Sequence, residues 1–513
     1  MAPRESVQYA VTYDELFNED HDDEYEAWLD ALLKPASIEF LKRFVADKLG
    51  GDRGSVHYVD MARGSFNLVL QFLIDDDRAP ARVALRIPQR GFSAEELAAE
   101  RLENEVYWMQ YIEEQSTVPV PHIYSWAACG DAVDDRIGPY MLMDYVEGQS
   151  LHSCLAAWEA SDNQTDAAEK RTVVFEQLAD ILLQLRSHRF DKIGSITRVD
   201  GGDGAGGGAW AVTRRPLTLD MHVQLVCMPG FSTDGWPTSP LLHAKDYVSL
   251  ATALRNHQML CLRNINIPGS WNKSGFFDFQ EGDAIDMQRA LKTARGRFLA
   301  RHAMALPATA AHLDDSDGND GGDHNKKPFV LFHPDLSASN ILVDLNTARI
   351  TALIDFEYTN AVPAALADDP PVWLSPKDFV RFLTFGLFTE WQILYKPTLD
   401  AFLAVLERVE QKQKQQQQQS PLHTSELPPL SARMRASWEK KTFLVNYALQ
   451  RTELADTIYH DQPALFPAVP EAVDGTDDWT EKVHMYEEYT RWQIDLYEAD
   501  RKARHQKRQP AGT

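Results

Sequence analysis

The stretch Phe329-Val-Leu-Phe-His333-Pro-Asp335-Leu-Ser-Ala-Ser-Asn340-Ile-Leu-Val-Asp344 constrains this chain more than any other. Four apolar residues run straight into a polar loop, and a second apolar run, 341–343, follows at once. Asp344 opens a turn, and Ile350-Thr-Ala-Leu-Ile354 is a third run that ends on Asp355-Phe356-Glu357. Short apolar runs bounded by turn residues read as strands. The last two are joined closely enough to pair as a hairpin, which brings the loop from His333 to Asn340 beside Asp355. Two carboxylates and an amide thus converge at the ends of neighbouring strands.

Those groups have a definite chemistry. One carboxylate can orient a hydroxyl and take its proton, while an amide oxygen and a second carboxylate can hold a hard divalent cation that keeps several waters. Phosphoryl transfer needs this set, because it depends on positioning and charge neutralisation rather than on a covalent intermediate. On this reading Asp335 faces the hydroxyl, Asn340 and Asp355 hold magnesium, and His333 packs to support the loop. Asp344 starts the hairpin turn. Glu357 has two readings, a partner behind the cation or a capping charge.

His333-Pro-Asp335, with Asn340 five residues on and Ile354-Asp355 after the hairpin, resembles the aminoglycoside phosphotransferase family, relatives of protein kinases and choline kinases. Ile354-Asp355-Phe356-Glu357-Tyr358-Thr359, Pro363 and Asp368-Asp369-Pro370-Pro371-Val372-Trp373-Leu374 resemble a fungal-type branch of it. So do Ile193-Gly194-Ser195-Ile196, Arg215-Pro216-Leu217 and Ser431-Ala-Arg-Met434 with Trp438. The similarity spans roughly residues 55 to 465.

The resemblance implies an α+β, two-lobed, protein-kinase-like fold. A small antiparallel-sheet N-lobe and hinge would occupy residues 55–148, and a larger, mainly helical C-lobe residues 149–500, with its catalytic loop at 329–357. It implies ATP and Mg2+ as cofactors and a small-molecule hydroxyl as acceptor. Gly64, Ser65, Phe66 and Asn67 fall where the family's loop covers the phosphates, and Arg86 falls where kinases place a strand lysine. Glu105 falls where its ion-pair partner belongs, and is preferred over Glu100 and Glu103 by the family's spacing. Met143, Asp144, Tyr145 and Val146 fall at the hinge that holds adenine. Two departures bear on activity: the phosphate loop has one glycine rather than three, and arginine replaces lysine, keeping the charge with a different geometry. The leading expectation is an ATP- and magnesium-dependent small-molecule kinase. The alternative is a catalytically weak kinase-like nucleotide-binding or scaffold protein. A protein kinase fits worse, since no Ala-Pro-Glu follows Asp355.

Composition narrows the partners. The 513 residues carry a formal net charge of −25, which argues against nucleic acid, although in the resembled family an acid surplus could also line a pocket for a cationic substrate. The four cysteines are too far apart for a zinc-type pair. No apolar run reaches the length of a membrane span. The acidic N-terminal stretch resembles neither a secretory signal nor a transit peptide, so a cytoplasmic location is expected. The chain leaves oligomeric state unspecified.

Around the central motif, an acidic leader and a helix from Glu24 to Lys48 are expected within residues 1–54, then strands at Val56–Val59, Phe66–Ile74 and Arg82–Ile87. A helix from Ser93 to Glu114 is expected, with Ser93 and Glu96 at capping-box spacing and Leu102, Val106 and Met109 on its buried face. Val174, Leu178, Ile181 and Leu185 mark a second long helix. Gly201 to Gly208 reads as a loop, as does His312 to Lys327, where the calcium-loop pattern fails at Asp320 and Lys326. The Gln-rich segment 411–425 is expected to be a disordered insert, and 501–513 a basic tail. Trp438, Trp479 and Trp492 are expected to pack rather than bind.

Overall fold

The computed structural model describes residues 15–50, 55–75, 80–129, 136–199, 208–227, 233–261, 329–375, 377–384, 387–417, 428–451 and 462–465, with isolated positions beyond. The Gly-rich loop, the 312–327 loop, Trp479 and Trp492 lie largely or wholly outside the described residues.

The N-terminal half begins with two helices, α1 (Glu15–Leu32) and α2 (Pro35–Lys48). A single helix from Glu24 was expected. Pro35 at the first turn of α2 explains the break, since its ring restricts the preceding residue and Lys34 is extended at φ −60°, ψ 146°. Five antiparallel strands follow: β1 (Ser55–Arg63), β2 (Asn67–Asp75), β3 (Arg82–Pro88), β4 (Ile123–Ala127) and β5 (Tyr140–Asp144), ordered β1-β2-β3-β5-β4. The two helices are not a separate leader. Tyr25, Trp28, Leu41 and Val45 share one buried cluster with Leu68, Phe72, Val83 and Leu85 of the sheet. Helix α3 (Glu95–Gln115) joins β3 to β4 and buries Leu102, Val106, Trp108, Met109 and Ile112 in the larger core below. Its start differs from the expected capping box. Ala94 stands at the cap with no side-chain bond, because Ser93 Oγ accepts from Arg101 Nη1 at 2.7 Å instead.

The C-terminal half is mainly helical, with small sheets where the chain turns. Its elements are β6 (Gln149–Ser150), α4 (Leu151–Glu159), α5 (Gln164–Ser187), β7 (Arg189–Phe190), β8 (Ser195–Val199), β9 (Ala209–Arg214), α6 (Leu219–Cys227) and α7 (Ala244–Cys261). Strands β10 (Phe329–Phe332), β11 (Ile341–Asp344), β12 (Arg349–Leu353) and β13 (Asn360–Pro363) follow. The expected hairpin is β11–β12, with Ile341 opposite Leu353 and Asp344 opposite Arg349. Asp344 Oδ1 accepts from the amides of Asn346 and Thr347, both at 2.9 Å, as a turn-starting Asp should.

Val174, Leu178, Ile181 and Leu185 of α5 are all buried, and Phe175 meets Phe402 of the helix Phe388–Gln417 edge-on at 5.6 Å. That helix corrects a second expectation: Gln411 to Gln417 continue it rather than forming a disordered insert. Gln and Lys are good helix formers, and a turn already nucleated by packed residues propagates through them at little cost. Trp438 stacks on Phe443 at 5.4 Å within the core, as expected. Among the described residues no helix is long and apolar enough to cross a membrane.

Candidate active site

Strand β10 delivers the chain into the His333 loop, and a buried ring ties that loop down. His333 is 3% exposed, packs on Phe356 at 4.5 Å between centroids, and donates from Nε2 to the Ile354 carbonyl at 3.3 Å. Burial pushes its pKa down to about 4, so the ring is neutral. Asn340 is fixed on both sides. Its Nδ2 donates to the Asp335 carbonyl at 2.9 Å and to Asp335 Oδ2 at 2.8 Å, while its own carbonyl accepts from Ile354 N at 3.0 Å. The last bond anchors the residue preceding Asp355. Asp355 itself has φ +72°, a left-handed conformation uncommon outside glycine, as the chain leaves β12. The expectation that Asp335, Asn340 and Asp355 converge is met by this chain of bonds.

Above them, Arg86 of β3 is surrounded by acids. Nη1 pairs with Glu105 of α3, and Nη2 lies 2.6 Å from Asp355 Oδ1 and 3.3 Å from Glu357 Oε1. The Arg86 and Glu105 side chains are only 8% and 4% exposed, so this is no solvated surface pair. The rival acids go elsewhere, Glu100 to Arg215 and Glu103 to Arg214.

Glu357 borders the cavity and is held by Arg86, Arg101 and Asn67. Arg101 donates Nε to its Oε2 at 3.0 Å, with Nη2 on the same oxygen, and Asn67 Nδ2 reaches Oε1 at 3.1 Å. The remaining Arg101 nitrogen donates to Ser93 Oγ and, at 2.9 Å, to His222 Nδ1 on α6. Burial and Arg101 hold His222 well below the usual imidazole range, so Nδ1 is free to accept. The two guanidinium groups outweigh burial and lower Glu357 to about 2. Asp355 behaves oppositely. Although a third of its side chain faces the cleft, desolvation by the cleft wall pushes it up to about 7 against the pull of Arg86, and Glu357 and Asp335 add to the rise. Burial likewise raises Asp335, opposed by Arg451 and Asn340.

These groups line a cavity of about 840 Å³ between the sheet and the helices. Gly64, Ser65, Phe66, Asn67, Arg86, Glu105, Met143, Asp144, Tyr145, Val146, Asp335, Asn340 and Asp355 all border it; His333 sits behind the wall. The loop at Gly64 is a tight turn, with Gly64 N donating to the Asn67 carbonyl at 2.8 Å. A Cβ at Gly64 would lie 3.0 Å from that same oxygen. The Asp144 carboxylate is spent on the Tyr124 hydroxyl and, at 3.1 Å, the His122 amide, so it ties the end of β5 to β4. Arg101 and Asn104 went unnoticed in the sequence. With Glu105 they occupy one face of α3 at i, i+3 and i+4, a polar pattern that also describes a solvated face. Here all three are buried, and Asn104 Nδ2 donates to the Glu357 and Thr359 carbonyls at 2.9 and 3.1 Å.

The donor set fits magnesium brought with a polyphosphate. Among the described residues no group of three or more His, Cys, Asp or Glu could hold a metal alone. Asn340 uses Nδ2 toward Asp335, which leaves Oδ1 as an acceptor, and Asn340 and Asp355 both border the cavity. Two hard oxygens suffice for a cation that fills its octahedron with water and phosphate.

A model of the phosphotransferase enzyme family matches residues 64–365, more than half of the chain. Clavilactone A biosynthesis cluster protein Y of Ampulloclitocybe clavipes is 25% identical over 319 residues, 61% of this chain and 63% of that protein. Altered inheritance of mitochondria protein 9 of Zygosaccharomyces rouxii is 24% identical over 322 residues, 59% of this chain and 50% of that protein. The chain thus matches between half and two thirds of the length of these relatives. Among solved structures, an ethanolamine kinase of Plasmodium vivax aligns over 91% of this chain and 94% of its own, at 11% identity and a TM-score of 0.40. With a family model spanning both the Gly64 turn and the His333–Asp355 corner, this chain belongs to the phosphotransferase enzyme family.

Proposed function

We propose that this protein transfers the γ-phosphoryl group of ATP, with magnesium, to a hydroxyl of a small molecule. The observation that carries the reading is the bonded corner Asp335–Asn340–Ile354, with Asp355 next in the chain, opening into the same cavity as the Arg86–Glu105 pair. Magnesium bound there would neutralise charge on the transferred group. Asn340 Oδ1 and the Asp355 carboxylate would hold it. Arg86, already 2.6 Å from Asp355, would turn toward the phosphates, while Glu105 keeps its guanidinium from swinging free. Asp335 would orient the acceptor hydroxyl and receive its proton, and its raised pKa makes it the better proton acceptor. Met143 to Val146 would seat the base at the far end of the cavity. His333 keeps the loop in register as a neutral, buried ring.

The test is ADP formation by the full chain over a panel of hydroxyl compounds. Asp335→Asn should lower kcat by about 10²-fold or more, while magnesium–ATP still raises the melting temperature. Asp355→Asn should remove the magnesium-dependent part of that rise. Equal turnover by wild type and Asp335→Asn across the panel would refute the proposal. One observation favours a second reading, a nucleotide-binding scaffold of weak activity: Arg86 Nη2 already pairs with one of the two Asp355 carboxylate oxygens. Stabilisation by magnesium–ATP without turnover on any acceptor would support it.

A further inference from the structure

We infer that Gln89 is a positioning residue for the nucleotide: it takes up carbonyl oxygens of the loop 64–67 and so turns the Ser65 amide toward the phosphates. This rests on the phosphotransferase reading and adds to it how the loop meets its ligand. Gln89 directly follows β3 and is 1% exposed. Its backbone amide donates to the Phe66 carbonyl at 2.9 Å, and its Nε2 donates to the carbonyls of Gly64 at 3.0 Å and Asn67 at 2.6 Å. One residue therefore fixes three of the loop's four carbonyls. The side-chain amide cannot turn over, because Arg63 Nε donates to its Oε1 at 3.1 Å and would then face a second donor.

A trans peptide points its carbonyl and the following N–H in opposite directions. With the Gly64 carbonyl turned to Gln89, the Ser65 N–H points away from Gln89. Ser65 borders the cavity whereas Gln89 lies behind the loop, and the Ser65 amide has no acceptor among the described residues. A backbone N–H held in that direction before a ligand arrives is a ready donor to a phosphate oxygen.

The side chains brace the same loop from the C-terminal half. Phe66 packs on the His222 ring of α6 at 4.3 Å between centroids and lies 5.4 Å from the Arg101 guanidinium. Asn67 Nδ2 reaches Glu357 Oε1 at 3.1 Å. The Gln89 carbonyl accepts from the Ser93 amide at 3.0 Å, and the Ser93 hydroxyl is the one that Arg101 holds. The single glycine fits this design. A loop whose shape is built in does not need the pliancy of three glycines, and its ordering cost falls on folding rather than on binding.

The experiment titrates the full chain with adenosine and, separately, with magnesium plus a non-hydrolysable ATP analogue, reading affinity from the rise in melting temperature. Gln89→Met removes the side-chain donors without adding charge. It should weaken the analogue by about 10-fold, the value of one or two hydrogen bonds, and leave adenosine within about 3-fold. Gln89→Glu keeps an acceptor for Arg63 but sets a carboxylate against the Gly64 and Asn67 carbonyls, so it should weaken the analogue further. A merely structural role would lower both affinities together or neither, and either result overturns the inference. Amide hydrogen exchange on the wild type keeps the test open should the variants not fold. Peptides covering residues 64–67 should gain protection with the magnesium–nucleotide analogue and not with adenosine, and no gain overturns the inference. Failure of the analogue to stabilise the wild type removes the phosphotransferase reading and this inference with it. Nucleotide stabilisation that Gln89→Met leaves intact removes this inference alone.

Discussion

Replacing Arg101 with methionine should be among the most damaging single changes outside the cavity surface. The guanidinium is 3% exposed and holds Glu357 Oε2, Ser93 Oγ and His222 Nδ1 at once. Methionine fills much of the volume but leaves the Glu357 carboxylate, itself 6% exposed, with Arg86 at 3.3 Å as its nearest cation. Breaking a buried pair by removing one partner costs about 3–5 kcal/mol, and Arg86 already serves two other acids, so it compensates little. In urea denaturation of the full chain followed by tryptophan fluorescence, the midpoint should fall with the slope unchanged. For a chain of 513 residues the melting temperature should drop by roughly 3–5 °C. Glu357→Gln in the same background should return at least about 1 kcal/mol relative to the sum of the single changes, because the stranded charge is gone. A loss below about 1 kcal/mol for Arg101→Met, or strict additivity in the double variant, would refute the view that this pair holds α3 to the segment after Asp355.

Other expectations follow from the same contacts. His333 has its pKa lowered from 6.5 to about 4, so the folded state prefers the neutral ring; its stabilising effect is complete above pH 6.5 and is lost as pH falls toward 4. The loss should approach about 3 kcal/mol relative to His333→Gln, read as the difference in denaturation midpoints between pH 7 and pH 4. Gly194→Ala should destabilise by more than about 2 kcal/mol, because Gly194 has φ +145° and a Cβ would lie 2.1 Å from the Arg214 carbonyl; thermal unfolding checks it. Glu100→Gln should cost under about 1 kcal/mol, since its pair with Arg215 is partly exposed, whereas Glu105→Gln, in a buried pair, should cost about 3 kcal/mol in the same assay.

The His333–Asp355 corner was legible because its parts lie close in sequence. A hairpin with a short turn sets Asn340 opposite Ile354, the residue before Asp355. Arg86 and Glu105 were reached through family spacing, not through local pattern. Ser93 shows the limit of local rules: its spacing to Glu96 suggests a cap, but a buried guanidinium competes for the hydroxyl and wins. The Gln-rich tract shows another limit, since composition alone did not reveal that a packed helix would continue into its residues 411–417; residues 418–425 lie outside the described ones.

The residues of this chain dictate by themselves where strands and turns fall around the His333–Asp355 corner, and which side chains can handle a cation and a proton there. Those properties depend on short-range periodicity and on the chemistry of single groups. Tertiary structure alone decided that Arg101 and Asn104 face inward, that α1 and α2 share a core with the sheet, and that Arg451 stands at Asp335. Each of these joins segments dozens to hundreds of residues apart. Whether a charge on a helix is solvated or buried against a partner depends on what the rest of the chain brings to that face, and no local pattern carries that information.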